Sequence, residues 1–229
     1  MEKKTIVAIS LISAVISLIY LLLSYFGIIR YGSMYIYSIE SYSHNYKNLD
    51  RVDNNYRVII SLKADKNLHK LDKTIKSLLD QTVRVDFITL ILPSTSKFSL
   101  PDNLKNVVKL DKSENDYGNL TCLIPNLLRE GDAQTQIILL KTGIIYGKEF
   151  IETLLEKARE NPNSIIYTKN KNHKDINLSK GILVTTDMFS AKFIDDTSVK
   201  KDKDKWFNDH INHNIDKISI KDRENYRII

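Results

Sequence analysis

Two carboxylates, Asp202 and Asp204, stand just ahead of Trp206, the only tryptophan of the chain. A carboxylate within hydrogen-bond reach of a hydroxyl can take its proton and make the oxygen a nucleophile. Asp204 is closer to the Trp206 register and is the better candidate base. Both residues also belong to a run of lysines and aspartates from Lys200 to Lys205, and such runs ordinarily form solvated faces. His210 and His213 lie three apart with Asp209 beside them, a spacing that puts two imidazoles on one face of a helix. No third ligand accompanies them, so two partly exposed histidines are the simpler account and no metal site is expected. Asp65 follows the first apolar run of the soluble part, where α/β folds bind nucleotides, although a turn residue there has the same look. Cys122 is the only cysteine, which excludes an intrachain disulfide and a cysteine zinc cluster. Asn119-Leu120-Thr121 and Asn177-Leu178-Ser179 have the pattern of glycosylation acceptors.

The chain has 229 residues and a formal net charge of +6. Lysines are scattered among acids and never form a stripe interleaved with aromatics, so nucleic acid is not an expected partner. Asn, Lys, Ile and Tyr are heavily used while glycine and proline are sparse, a bias that speaks of an AT-rich coding genome. Hydrophobic content is ordinary for a folded domain.

From Thr5 to Ile29 no residue is charged. A helix of this length reaches about 37 Å, enough to cross a hydrocarbon core of ~30 Å with some tilt. Tyr20, Tyr25, Phe26 and Tyr31 gather toward one end, where amphipathic rings prefer the interface. The run is longer than the apolar core of a cleavable signal and ends in Gly27, Ile28, Ile29 and Arg30 without a small-residue cleavage pattern. Lys3 and Lys4 precede it. The positive-inside tendency therefore predicts a single-pass type II anchor, with residues 1–4 a cytoplasmic tail, 5–29 the span, and the rest luminal or extracellular. Residues 30–56 are polar and rich in Tyr, Ser and Asn with no sustained period, and read as a stalk that has room for a short helix.

The elements that must position the candidate residues begin at Arg57. Val58 to Leu62 is a β-branched apolar run, as a buried strand requires. Leu68, Leu71, Ile75, Leu78 and Leu79 recur at helical spacing and predict an amphipathic helix ending near Gln81. Further strands are expected at Phe87 to Leu92, Val107 to Leu110, Ile137 to Leu140, Ile165 to Thr168, Gly181 to Val184 and Lys217 to Ile220. Helices are expected over Leu120 to Leu128, bent or interrupted by Pro125, over Phe150 to Ala158, and near Trp206 to Asn214. Strands and helices alternating at this spacing predict an α/β domain over 57–229, with a mainly parallel twisted sheet covered on both faces.

Four segments in this order resemble the nucleotide-sugar-dependent glycosyltransferases of the GT-A fold, family-two-like members in particular. They are Val58 to Leu62 with Ser77-Leu78-Leu79 and Gln81-Thr82; Asp116-Tyr117-Gly118-Asn119-Leu120-Thr121-Cys122-Leu123-Ile124-Pro125; Thr135 to Gly147; and Asp204-Lys205-Trp206. The resemblance implies a Rossmann-related GT-A-like domain that moves a sugar from a nucleotide donor to a hydroxyl of a glycan acceptor. It places Ser61, Leu62 and Asp65 along the nucleotide, Tyr117 and Gly118 on the sugar side, and Asp204 as the base.

The sequence departs from that family where a cation would be held. Relatives bind Mn2+ or Mg2+ through an Asp-x-Asp motif after the fourth core strand, and the ion offsets the charge of the leaving diphosphate. Here Ile138-Leu139-Leu140 runs into Lys141-Thr142-Gly143, with no carboxylate. Cys122 and Asn119 likewise replace the Lys and Pro of the family's Tyr-Gly-Pro segment. No cofactor is therefore expected with this site. Lys141 either supplies a point charge to the phosphates or is a surface lysine in a degenerated site. The second case predicts a catalytically inactive relative that acts as a binding or scaffolding partner, for instance of an active transferase in the same membrane.

Overall fold

The computed structural model describes residues 2–52, 55–64, 68–114, 117–168, 181–189, 203–211, 215–220 and 226–228. The chain divides into two compact units, Met1–Ser38 and Ile39–Ile229.

The first unit is helical. Helix α1 (Glu2–Tyr25) is long and apolar enough to cross a membrane, and none of its apolar window is covered by protein. It stops because Gly27 takes a left-handed φ of 65°, which a side chain disfavours. A short helix α2 (Ile28–Ile36) follows, with the phenols of Tyr31 and Tyr35 hydrogen-bonded one turn apart at 2.7 Å.

In the second unit, helix α3 (Ile39–Lys47) precedes the first strand. The polar stretch that reads as a stalk is therefore structured in part. Tyr42 and Tyr46, four apart on one face, are buried, and the Tyr46 phenol accepts the Val85 N–H at 3.0 Å. The chain then runs past Arg84, where Val52 N–H donates to the Arg84 carbonyl at 2.9 Å and the Arg84 guanidinium donates to the Lys47 carbonyl at 2.8 Å. The bounds of α3 carry no periodic signal because the helix is anchored by two aromatic residues rather than by an apolar stripe.

The unit continues with β1 (Val58–Lys63), α4 (Leu68–Leu79), β2 (Phe87–Pro93), β3 (Val108–Ser113), α5 (Ile124–Arg129), β4 (Gln136–Lys141), β5 (Ile144–Tyr146), α6 (Phe150–Glu160), β6 (Ser164–Thr168), β7 (Ile182–Thr185), α7 (Lys203–His210), β8 (Asp216–Ile220) and β9 (Tyr226–Ile228). Seven strands stand in the order β3-β2-β1-β4-β7-β6-β8. β1 to β4 are parallel, β7 runs antiparallel to both β4 and β6, and β8 is parallel to β6. β5 and β9 form a separate antiparallel pair that the sequence did not disclose, three residues being too few for a period.

Helices cover both faces. On one face α5, α7 and a 3-10 turn (Gly118–Cys122) bury Leu123, Leu127, Trp206 and Phe207 against Ile137, Leu139, Ile182 and Val184. α4 and α6 cover the other, with Leu71, Ile75, Leu78, Phe150 and Leu154 inside. Pro125 lies in the first turn of α5, where its missing N–H costs nothing, so it starts that helix rather than bending it.

Candidate functional site

In an open parallel sheet the crevice for ligands lies beyond the carboxyl ends of the strands, where the strand order reverses. Here the chain moves outward from β1 through β2 to β3 and returns to the other side of β1 with β4. The switch point is thus the pair of exits at Lys63 and Lys141, which are register partners. Side chains alternate across a strand, so Ser61 and Lys63 on β1 and Leu139 and Lys141 on β4 emerge on the same face.

That face carries the Tyr117–Cys122 segment. The Ser61 hydroxyl donates to the Cys122 carbonyl at 2.7 Å, and the Asn126 carboxamide donates to both Ser61 Oγ (2.8 Å) and the Cys122 carbonyl (2.7 Å). The Thr121 hydroxyl accepts the Tyr117 N–H at 2.9 Å and closes the turn. Ser61 and Leu62 have no exposed surface. Their side chains therefore support the crevice from beneath: Ser61 pins the turn bearing Tyr117 and Gly118, and Leu62 packs into the core. Burial pushes the Cys122 thiol up to about 12, with the nearby Lys63 charge opposing that rise. A thiol held neutral is no nucleophile. Thr121, the third residue of the first glycosylation pattern, is buried.

The β4 exit is fixed just as firmly. Lys141 N–H donates to the Tyr146 phenol at 2.8 Å, and that phenol donates back to the Lys141 carbonyl at 3.1 Å. Gly143, at φ 84°, turns the chain and donates its N–H to Thr74 Oγ1 at 3.0 Å, a conformation that glycine adopts without strain. Thr74 and Ser77 on α4, and Gln81 two residues past its end, converge on this loop. Ser77 Oγ accepts the Tyr146 N–H at 3.1 Å, while Gln81 donates to the Gly147 carbonyl at 2.7 Å and accepts from Ile151 N–H at 3.1 Å. The Ser-Leu-Leu-x-Gln motif is thus the clamp that shapes this loop. Lys141 remains exposed at its tip.

A cavity of about 140 Å3 opens beside the switch point, lined by Lys63, Leu92, Pro93, Ser94, Glu114 and Thr121 among others. It has room for roughly four or five waters, less than the ~300 Å3 of a pocket for a whole small ligand. Asp65, Asp202 and His213 lie outside the described residues. Asp204 sits on α7, whose Trp206 packs against the same face as the 3-10 turn, but its side chain also lies outside the description. His210 is buried, stacks on Trp206 at 4.5 Å and bonds through Nδ1 to the Trp206 carbonyl at 2.9 Å. It is a packed residue of α7. Lys63 is the residue that sequence reasoning missed; as the last position of an apolar strand it carried no signal until register placed it beside Lys141.

No protein-family model and no curated protein matches the chain. Solved structures do. The mannosyltransferase PcManGT of Pyrobaculum calidifontis, in complex with GDP-Man and Mn2+, superposes with a TM-score of 0.52 over 86% of this chain, at 8% identity. The 4-diphosphocytidyl-2C-methyl-D-erythritol synthase of Anaerococcus prevotii gives 0.53 over 76%, at 12% identity, and a second synthase of that name gives 0.51 over 77%, at 11%. The fold is GT-A-like. This chain spans 65% of the mannosyltransferase and 90% of the first synthase.

An ion such as the Mn2+ of that mannosyltransferase finds no suitable ligands at the GT-A-like β4 exit here. Lys141 is a cation, its carbonyl accepts from the Tyr146 phenol, and Thr142 is buried. Among the described residues no group of three or more His, Cys, Asp and Glu could hold a metal.

Proposed function

We propose that this chain is a membrane-anchored glycosyltransferase that takes a nucleotide sugar at the carboxyl edge of β1 and β4 and passes the sugar to a hydroxyl of a glycan acceptor. α1 is the single-pass anchor, and the domain faces the lumen or the exterior. Asp65 and Lys141 border the nucleotide, Tyr117 and Gly118 border the sugar, Ser61 and Leu62 hold that floor, and Asp204 is the base that takes the acceptor proton.

The observation that carries this reading is the convergence at the switch point. The order reversal between β1 and β4 leaves a crevice, the Ser61–Cys122–Asn126 hydrogen bonds hold the Tyr117 segment at its rim, and the clamped Lys141 loop closes the other side. Support also comes from two neighbours in fold that are named for nucleotide diphosphates, one with GDP-Man and one for a diphosphocytidyl product.

The test uses the full-length protein in detergent micelles. Thermal melts with GDP, UDP, CDP and their sugar conjugates should show at least one stabilising ligand. Transfer or donor hydrolysis with that conjugate should fall by about 10²- to 10⁴-fold in Asp204→Ala, with donor affinity little changed. Failure of every nucleotide to stabilise the protein would sink this reading and favour the scaffold role instead.

A further inference from the structure

The amino edge of the sheet, at the other end of the strands from the switch point, holds a second cavity of about 500 Å3. It is framed by Asn55 and Tyr56 ahead of β1, by the turn from α6 into β6, and by the end of β7. Gln136 opens β4 and Lys141 closes it, so the two edges stand ~17 Å apart at the rise of a strand. The two cavities share no lining residue. Three polar side chains meet at this edge. Gln136 is the register partner of Thr185, and Ser164 and Thr185 each lie two residues beyond the Ile166–Leu183 pair. Side chains alternate along a strand, so all three emerge on the face that α6 covers, in line with Ile138, Ile166 and Leu183. Gln136 is 8% exposed and Ser164 only 5%. Among the described residues the Ser164 hydroxyl has no hydrogen-bond partner, a condition that costs free energy in a buried group.

Charge in the lining is balanced, because Arg159 and Asp187 are its charged residues and their charges cancel. Asp187 is fixed by its N–H, which donates to the Ala133 carbonyl at 2.8 Å, and by its carboxylate, which accepts the Thr185 hydroxyl. Five carboxamides, those of Asn55, Gln134, Gln136, Asn161 and Asn163, each supply donor and acceptor from one planar group. Leu155, Ala158, Leu183 and Met188 add an apolar patch, and the Tyr56 ring is more than a third exposed.

From this lining we infer that the cavity is a second ligand site, separate from the crevice, which binds a short segment of uncharged oligosaccharide. This site stands whether or not the crevice takes a nucleotide. Every hydroxyl of a sugar both donates and accepts, and neighbouring ring hydroxyls match the two ends of one carboxamide. The C–H faces of the ring meet the apolar patch and the Tyr56 ring. A ring hydroxyl gives Ser164 the partner it lacks. A phosphate-bearing ligand, by contrast, finds no net positive charge. The volume lies within the ~300–1,000 Å3 of small-molecule sites.

The test titrates the full-length chain calorimetrically, in a detergent without a sugar headgroup. The probes are neutral trisaccharides of glucose, mannose, galactose and N-acetylglucosamine, with uridine and inosine as uncharged nucleosides. At least one trisaccharide should bind with a Kd of about 1 mM or tighter. That Kd should change less than about two-fold when salt is raised, since no net charge is neutralised. A saturating mixture of GDP, UDP and CDP should leave it unchanged. Asn163→Gly deletes a carboxamide at a φ of 62°, which glycine adopts freely, and Gln134→Ala deletes one from an exposed position. Each should weaken the trisaccharide about three- to ten-fold. Ser164→Ala should weaken it to a similar degree, yet melt at or above the parent temperature without ligand, because a buried hydroxyl with no partner has gone. A merely structural serine would lower both. Should Ser164→Ala not fold, the two exposed variants carry the test.

Absence of binding by all four trisaccharides at about 10 mM overturns the assignment. So does a nucleoside that binds more tightly than any of them, since the cavity then recognises a base. Binding that is undiminished in the variants, or displaced by the nucleoside diphosphates, puts the sugar outside this cavity. That result overturns the second site and leaves the nucleotide reading untouched.

Discussion

The hydroxyl of Thr74, in the middle of α4, accepts the amide of Gly143 at 3.0 Å and that of Ile144 at 3.3 Å, while donating to the Lys70 carbonyl. One buried side chain thereby ties the first crossover helix to the loop after β4. Thr74→Val keeps the shape and removes the acceptor for two buried N–H groups. It should cost about 1–3 kcal/mol in urea unfolding, with Thr74→Ser recovering most of it. Because the same bond poises Lys141, the valine variant should also lose nucleotide affinity without touching ligand. A variant as stable as the parent would show that the loop is held by other means.

The boundary of the folded unit is open to a direct comparison. A fragment of residues 39–229 retains α3, the Tyr46–Val85 hydrogen bond and the Val52–Arg84 pairing, whereas 57–229 loses all three. Removing α3 uncovers apolar surface of α4 and leaves the buried Val85 N–H without its acceptor. The longer fragment should therefore melt several degrees higher, and the shorter one should aggregate more readily. Equal melting temperatures would return α3 to the status of a stalk.

Alkaline titration isolates the same contact. Burial pushes the Tyr46 phenol up to about 12, from an ordinary 10.0. Below pH 10 both folded and unfolded chains hold this proton, and the contribution to stability is intact. Between about pH 10 and 12 the unfolded chain releases it while the folded chain does not, so stability falls as pH rises, by roughly 1.4 kcal/mol per pH unit. Tyr46→Phe should be less stable at pH 7, having lost the bond to Val85, yet flatter through the alkaline range. Parallel curves for the two proteins would contradict the burial of this phenol.

Cys122 offers a probe that needs no substitution. Its thiol is buried and held neutral, so a thiol reagent at pH 8 should label the native protein only as fast as the domain opens, and label it fully in guanidinium. Rapid stoichiometric labelling of the native chain would mean that the 3-10 turn above β1 is not closed.

Much of this architecture was legible beforehand, for identifiable reasons. Val58 to Leu62, Phe87 to Leu92 and Ile137 to Leu140 are short apolar runs that only a sheet covered on both faces accommodates, and they are β1, β2 and β4. Helix α6 stops before Pro162, as proline geometry demands. The reversed direction of β7 was invisible, because a buried strand has the same composition whichever way it runs. Residues of the candidate site fared unevenly. Lys141 stood out by replacing an acid, but its partner Lys63 is defined only by pairing between distant segments. Ser61, expected along the nucleotide, has its hydroxyl bonded to the Cys122 carbonyl, and sequence position fixes which strand end a side chain occupies but not whether a neighbouring turn lies on top of it.

The left-handed glycine after α1 leaves only residues 26–38 between the apolar helix and the α/β unit, and nine of them are coiled into α2. Even pulled straight, such a leash is no longer than about 45 Å. If α1 spans a bilayer, as proposed above, this tether limits how far the α/β unit can stray from the lipid. Encounters with any lipid-borne partner would then be set by lateral diffusion and surface density rather than by bulk concentration.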